Sequence, residues 1–110
     1  MNTLTSFDGT LIAFDSQGDG PPLVVVGGDP GPLAALLSTR FTVYRYDRRG
    51  LGGSGNTEPY ALAREVEDLE AVIAEAGGTA YVLALPCSTE LAAVAARALP
   101  CITRLIALPG

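Results

Sequence analysis

Short apolar runs alternate along the chain with amphipathic stretches, and this pattern predicts strands and helices in turn. Two alternating runs in residues 5–18 flank Asp8-Gly9, a dipeptide suited to a tight turn, so they predict a β-hairpin. Residues 23–26 form an unbroken apolar run, LVVV, which favours a central strand covered on both faces. The glycine pair at 27 and 28 ends that strand.

The rest of the chain continues the alternation of helices and strands. In residues 60–76, apolar positions recur at steps of three and four, which predicts an amphipathic helix that Gly77-Gly78 ends. Because strands and helices alternate after an antiparallel start, the chain predicts one α/β domain over residues 1–110, a parallel sheet with helices on both faces. The remaining predicted segments are helices at 32–37 and 89–99, strands at 41–46, 81–85 and 104–108, and an irregular loop at 47–59.

Composition narrows the classes of partner. Hydrophobic residues make up 48% of the 110 residues and charged residues 17%, which excludes a disordered chain. The net charge of −5 provides no basic surface for nucleic acid or an anionic membrane. The N-terminus has no leader pattern and no segment is long enough to span a bilayer, so we expect a cytoplasmic protein. In that setting Cys87 and Cys101 are expected to be buried free thiols.

A glycine-rich loop follows the strand predicted at 41–46. Its sequence, DRRGLGGSG at residues 47–55, resembles the YDxRGxGxS loop after the fourth strand of the α/β-hydrolase family. The segment DGTLIAFDSQGDGPPLVVVGG is similar to that family's first three strands. The resemblance implies the N-terminal half of a family domain, through its sixth strand. The loop's own glycines predict a structural turn rather than a binding element.

The resemblance places the family's oxyanion-hole segment at Gly27, Gly28 and Asp29, where no histidine stands. A backbone N–H there would stabilise a developing oxyanion, but the Asp29 carboxylate would oppose that stabilisation. We therefore interpret these residues as a structural turn that also borders a pocket.

The family's nucleophile elbow corresponds to residues 84–88, ALPCS, with Pro86 in the nucleophile's place. Proline has no nucleophilic side chain, and its ring holds φ near about −65°, which excludes the strained turn of an elbow. Cys87 and Ser88 remain weak catalytic candidates. A cysteine at a helix N-terminus gains thiolate character, whereas Ser88 suits an N-cap whose hydroxyl accepts from a first-turn N–H.

The sequence also places no general base beside a nucleophile. The chain contains no histidine, and a serine hydroxyl is a weak nucleophile until a base takes its proton. In the family, the acid and the histidine come from beyond the sixth strand. We interpret Asp47, Glu58 and Glu90 as turn, loop and cap residues. Four acidic residues predict a solvated helix face: Glu65, Glu67, Asp68 and Glu70. We expect no metal and no cofactor.

The last predicted strand, from Arg104 to Leu108, would normally have a neighbour on each side in this family. An apolar unpaired edge is a template for assembly. We therefore expect a homodimer that pairs these strands across a two-fold axis, or a second chain that carries the missing half.

Three hypotheses about function follow. The first, which we favour, is a homologue without the catalytic triad that binds a small molecule or serves in assembly. The second is half of a split hydrolase completed by a partner chain. The third is a small non-hydrolytic enzyme, an isomerase or cyclase, with Cys87 at the site. Ligands of open α/β sheets bind beyond the carboxyl ends of the strands, so we expect a small apolar ligand near Gly27, Gly28, Asp29, Pro86 and Cys87.

Overall fold

The computed structural model describes residues 2–27 and 31–108. It contains the predicted succession of elements, with bounds that differ from the predicted ones by one or two residues at most ends. The strands are β1 (Asn2–Thr5), β2 (Leu11–Gln17), β3 (Pro22–Val26), β4 (Thr42–Tyr46), β5 (Ala80–Ala84) and β6 (Ile102–Ala107). The helices are α1 (Pro32–Leu37), α2 (Leu62–Glu75) and α3 (Thr89–Ala98), with a 3₁₀ turn at Pro86–Ser88 before α3.

The six strands form one mixed sheet in the order β1-β2-β4-β3-β5-β6. The hairpin of β1 and β2 is antiparallel, and β2 pairs antiparallel with β4. Strands β3 to β6 run parallel, with Val24 opposite Tyr44 on one side and Val82 on the other. The parallel sheet with an antiparallel start is therefore confirmed, and β6 lies at one edge.

Two apolar clusters cover the two faces of the sheet, as the alternation of strands and helices predicts. The larger cluster packs α2 and α3 against the sheet around Val24, Val82 and Leu69. The smaller packs α1 against Leu23 and Val25 on the other face. Residues 23–26 are each at most 2% exposed, so the predicted central strand is confirmed.

The amphipathic helix is confirmed with one correction to its polar face. Val66, Leu69 and Ile73 are buried on the sheet, and Gly78 N–H donates to the Ile73 carbonyl at the helix end. Glu65 and Asp68, however, are 3% and 1% exposed, so the prediction that they belong to a solvated face is wrong. Both carboxylates are buried because arginines of the 47–59 loop reach them.

None of the three helices described for residues 2–27 and 31–108 is long and apolar enough to cross a membrane.

Candidate functional site

A cavity of about 150 Å³ lies where β3, β4 and β5 end at their carboxyl sides. We call it the strand-end cavity. Its wall consists of Gly27, Tyr46, Asp47, Arg48, Leu51 and Cys87. The carboxyl ends of parallel strands meet at one edge of the sheet, which is why residues from three separate segments converge here.

A larger and shallower cavity, about 480 Å³, lies between β2, β4 and α1. Arg45, the cation in its wall, is already held by Asp15 and Asp47, at 3.1 and 3.0 Å. Among the residues that the structure describes, none of the strand-end residues that carry the candidate chemistry lines this cavity. The smaller cavity is therefore the candidate site.

The chain enters the site from β5 through an ordinary turn. Leu85 is extended, with φ −74° and ψ 160°, and the 3₁₀ turn at Pro86–Ser88 follows directly. Every positive φ among the described residues belongs to a glycine. Pro86 therefore does not stand in the left-handed conformation of a nucleophile elbow, and its exposed ring takes no part in the cavity wall.

Gly27 and the 3₁₀ turn are in close contact. Gly27 has φ +116°, and a Cβ added there would lie 2.8 Å from Ser88 Oγ. Only glycine tolerates both that backbone conformation and that approach. The Cys87 thiol donates to the Gly27 carbonyl at 3.4 Å. The structure thus brings together two of the predicted pocket residues, while Gly28 and Asp29 lie outside the described residues.

Ser88 corrects the sequence prediction. It occupies the N-cap position of α3, but its hydroxyl makes no capping hydrogen bond. An N-cap residue acts from an extended conformation, whereas Ser88 has ψ 13°. Instead, Arg48 Nη1 donates to Ser88 Oγ at 3.3 Å, and the side chain is buried.

Cys87 is exposed and Cys101 is half-buried, and neither forms a disulfide. The expectation that both thiols are buried is therefore wrong for Cys87, because the 3₁₀ turn holds it at the rim of the cavity. The nearest polar groups that contact its sulfur are the Gly27 carbonyl and, at 3.9 Å, the Ser88 hydroxyl.

Arg48 is the cation of the strand-end cavity, and Glu65 neutralises it. Arg48 donates from Nε and Nη2 to the two Glu65 oxygens at 2.5 and 2.7 Å. Tyr60 also donates to Glu65. Burial alone would raise the pKa of the Glu65 carboxyl, but the hydrogen bonds from Arg48 and Tyr60 outweigh it and lower that pKa.

Tyr46 also lines the strand-end cavity. It is 1% exposed, and its hydroxyl is a buried polar group without a hydrogen-bond partner among the described residues. Burial raises the pKa of this hydroxyl, so it stays protonated at neutral pH. A buried hydroxyl without a partner costs about 1–3 kcal/mol.

The glycine-rich loop is anchored by structural contacts, as its sequence predicts, but its residues Asp47, Arg48 and Leu51 also line the strand-end cavity. Arg49 is fully buried and pairs with Asp68 at 2.7 Å and with Asp8 at 2.9 Å. Asp47 accepts from Gly53 N–H at 2.9 Å, and Gly55 N–H donates to the Leu11 carbonyl. These bonds tie the loop to α2 and to the hairpin, and so fix Arg48 at the cavity.

Sequence reasoning interpreted Asp47 as a turn residue and Glu65 as part of a solvated helix face. It assigned no chemical role to Tyr46, Arg48 or Leu51. One signal was available, since Glu65 lies in the first turn of a helix that follows a loop with two adjacent arginines. Within the described residues, no group of three or more potential ligands could hold a metal ion.

Comparison with known proteins places this geometry in context. The sequence model described as "Alpha/beta hydrolase family" matches residues 23–98. The chain is 39% identical over 79 residues to "Probable oxidoreductase EphD" of Mycobacterium tuberculosis, an alignment that covers 62% of this chain and 13% of that protein.

Three solved structures share the fold of this chain. An alpha/beta hydrolase from Sphaerobacter thermophilus superposes with a TM-score of 0.92 at 48% identity, covering 96% of this chain and 44% of that one. The N-formylmaleamic acid deformylase of Pseudomonas putida gives a TM-score of 0.82 at 28% identity, with 96% and 45% covered. An epoxide hydrolase from Vigna radiata, at 21% identity and a TM-score of 0.86, matches in fold alone. The chain thus spans less than half the length of these structures.

Proposed function

The chain belongs to the α/β-hydrolase family, and from this premise we propose that it is a small-molecule-binding module that does not hydrolyse its ligand. The proposal rests on Pro86, which the sequence resemblance aligns with the nucleophile of the family's elbow. It lies in a 3₁₀ turn and offers no side chain for attack.

The neighbouring hydroxyl is poorly suited to replace that nucleophile. Ser88 Oγ accepts a hydrogen bond from Arg48, and a guanidinium stays protonated at any ordinary pH. Arg48 therefore cannot take the serine proton, and the 110 residues contain no histidine that could. What the site retains is a cavity at the strand ends, the position where sheets of this class bind ligands.

The proposal is tested by turnover of 4-nitrophenyl acetate and styrene oxide by the purified chain. We expect rates no greater than buffer for the wild type and for Pro86→Ser, because a serine there still lacks a base. Turnover that Cys87→Ala or Ser88→Ala abolishes would contradict the proposal. Val94→Ala, a change on the exposed side of α3, serves as the matched control.

A second candidate is half of a split hydrolase, and the sheet edge favours it. Among the described residues β6 pairs with β5 alone, and its Ile106 is 45% exposed. The chain also corresponds to only 44% of the Sphaerobacter thermophilus structure. A partner could add strands at β6 and supply an acid and a histidine.

Mixing this chain with the part of the Sphaerobacter thermophilus hydrolase that it does not match tests the split form. The expected result is co-purification together with ester turnover that neither part has alone. A stable complex without turnover would contradict the split hydrolase and leave the binding module as the proposed function. The same edge also supports the homodimer that the sequence predicts, with β6 of each copy paired across a two-fold axis.

A further inference from the structure

Strand β6 turns part of its backbone to the open side of the sheet. In a parallel ladder, alternate residues direct both backbone groups to the same neighbour. Leu108 N–H donates to the Ala84 carbonyl at 3.0 Å, so the even-numbered residues of β6 face β5 as well. Leu105 and Ala107 therefore point their N–H and C=O groups away from β5. Because β5 is the only strand that pairs with β6 among the described residues, these groups can bond a further strand.

A second copy of this chain fits that side in an antiparallel register. A two-fold axis perpendicular to the sheet pairs β6 antiparallel with its copy. An axis at Arg104 would set two arginines opposite each other, which is unfavourable. An axis at Leu105 instead sets Arg104 opposite Ile106 of the other copy, and it pairs the outward groups of the two Leu105 residues. An axis at Ile106 also suits the strand alone, so the helices above the sheet decide between the two.

The same axis would bring the two α3 helices together. Helix α3 packs over both β5 and β6, since Leu91 shares a core cluster with Val82 of β5 and Leu105 of β6. Pairing of β6 with its copy would separate the helices by two strand spacings, about 9.6 Å, and would twist them by about 45°. Helices commonly pack about 8–10 Å apart at about 50°. The strand pairing thus gives the helices an ordinary packing geometry.

Charges on α3 favour the axis at Leu105. Helix and strand run between the same two ends of the sheet, because the N–H of the first β6 residue donates to the carbonyl of the residue after α3 at 3.2 Å. Their midpoints therefore lie at a similar level. An axis at Leu105 sets Glu90, in the first turn of one α3, level with Arg97 in the last turn of the other. An axis at Ile106 would shift this alignment by about two helix residues and bring the two Glu90 carboxylates closer.

The flank of α3 towards the open edge has room for this contact. Ala92 and Ala95 are fully buried on the sheet. Since β5, α3 and β6 connect with the right-handed sense of parallel strands, the helix turns Ala93 towards the open edge of β6 and Val94 towards α2. Ala93 is exposed and its side chain ends at Cβ, so a second helix can approach closely there.

We propose, resting on the homodimer suggested for this edge, that a second copy of this chain pairs with β6 about an axis at Leu105 and packs its α3 against α3. Two ion pairs between Glu90 and Arg97 flank the helix contact, and Ala93 lies within it. The interface joins two six-stranded sheets into one continuous sheet.

Crosslinking of cysteine variants tests the register. In a background with Cys87→Ser and Cys101→Ala, chains with Arg104→Cys and chains with Ile106→Cys are mixed and oxidised. Residues opposite each other in a non-hydrogen-bonded pair have Cα atoms about 4.5 Å apart, within reach of a disulfide. We therefore expect the mixture to crosslink about tenfold faster than either variant alone. Phe7→Cys, exposed at the hairpin turn, measures random collision.

The same experiment identifies the wrong registers. Faster crosslinking of Ile106→Cys alone would place the axis at Ile106, and faster crosslinking of Arg104→Cys alone would place it at Arg104. Either result would overturn the proposed register, as would rates equal to that of Phe7→Cys in every sample.

Substitutions on α3 test the helix contact by sedimentation equilibrium. Ala93→Trp should raise the dissociation constant of the dimer about tenfold, because its ring would hold the helices apart. Val94→Trp, on the other flank, should change that constant less than about twofold. Glu90→Arg should raise it about fivefold, since two ion pairs become repulsive. The charge swap of Glu90→Arg with Arg97→Glu should restore it, and failure of that rescue would contradict the ion pairs.

Failure of the helix contact is distinguishable from failure of the homodimer. If Ile106→Glu dissociates the dimer and Ala93→Trp does not, the homodimer stands and the helix contact is refuted. A wild type that stays monomeric at every concentration would overturn both and assign the edge to a different partner. Turnover of 4-nitrophenyl acetate would refute the non-hydrolytic function and leave this interface unaffected.

Discussion

Arg49 shows how a single residue fixes the glycine-rich loop. Its guanidinium is fully buried and donates hydrogen bonds to two carboxylates, Asp68 from α2 and Asp8 from the hairpin turn. Ser6 also donates to Asp68, at 2.5 Å. A buried ion pair gains little over apolar packing, but removal of one partner leaves a charge without compensation. The network therefore makes the position of the loop, and of Arg48 beside it, strongly dependent on each member.

We predict that Asp68→Ala lowers the free energy of unfolding by about 3 kcal/mol, because Arg49 keeps only the Asp8 carboxylate. Chemical denaturation checks this value. Glu67→Ala is the matched control, since its ion pair with Arg64 is solvent-exposed and contributes less than about 0.5 kcal/mol. If both variants lose the same free energy of unfolding, the buried network stabilises the fold no more than the exposed ion pair does.

Acid should destabilise the fold by protonating the carboxylates that pair with Arg48 and Arg49. Hydrogen bonds from Arg49 and Thr10 hold the pKa of the Asp8 carboxyl well below its usual range, and the pKa of Glu65 is lowered by Arg48 and Tyr60 against the effect of burial. A lowered folded-state pKa gives stability that is present above the unfolded pKa, about 4, and is lost as the pH falls through the folded value.

We therefore expect these two carboxylates to leave the urea concentration at the midpoint of unfolding unchanged between about pH 5 and 7. Below about pH 4 that midpoint should fall. Asp8→Asn should be less stable at pH 7 and should show a shallower decline in acid, because it no longer titrates. If stability falls as steeply with pH in this variant as in the wild type, the protonation of Asp8 does not contribute to unfolding in acid.

At the scale of elements, the junction of β3 with the 3₁₀ turn shapes the strand-end cavity. Strand β3 ends at Val26, and Gly27 then turns with positive φ against Ser88 and Leu85. The Leu85 N–H donates to the Val26 carbonyl at 2.9 Å and extends the pairing of β3 with β5 to this point. The two segments are therefore packed too closely for any side chain at position 27.

Gly27→Ala should destabilise the protein more than Gly77→Ala does. Both glycines have similar positive φ, +116° and +122°, so both variants carry backbone strain of about 1 kcal/mol or more. Only the alanine at 27 would also meet Ser88 Oγ at 2.8 Å, whereas position 77 faces open space. The difference between the thermal unfolding midpoints of the two variants reports the cost of the contact with Ser88. Equal midpoints would contradict that contact.

At the scale of the whole molecule, the sheet has two edges, β1 and β6. Strand β6 presents exposed Thr103, Arg104, Ile106 and Ala107 along its edge. Exposed strand edges pair readily with other chains unless they carry charges or are covered. Arg104 is the one charged side chain along β6, so the edge has little protection of that kind.

We predict that light scattering across a dilution series gives twice the mass of one chain, through pairing of β6 with its copy. Ile106→Glu should yield monomers, because it places a charge at the paired edge. Val94→Glu, at a similarly exposed position on α3, should remain dimeric. A monomeric wild type would exclude the homodimer and favour a partner chain at the same edge.

The sequence by itself determined the elements and their order in the chain. Strand and helix periodicities and the Gly and Pro stops are local signals, so residues 23–26, the stripe of α2 and the hairpin turn at Asp8-Gly9 could be located without a structure. The glycine-rich loop carried enough of a family pattern to indicate the fold, and Pro86 indicated an altered elbow.

Only the tertiary structure decided which polar residues act together. Arg48 meets Glu65 across 17 residues of chain and Ser88 across 40, and Arg49 meets Asp68 across 19. Helical spacing gave Glu65 and Asp68 the same appearance as their solvated neighbours, because periodicity records the face of a helix and not what packs on it. The wall of the strand-end cavity joins residues of β4, the glycine-rich loop and the 3₁₀ turn, so it depends on distances between segments that no local pattern encodes.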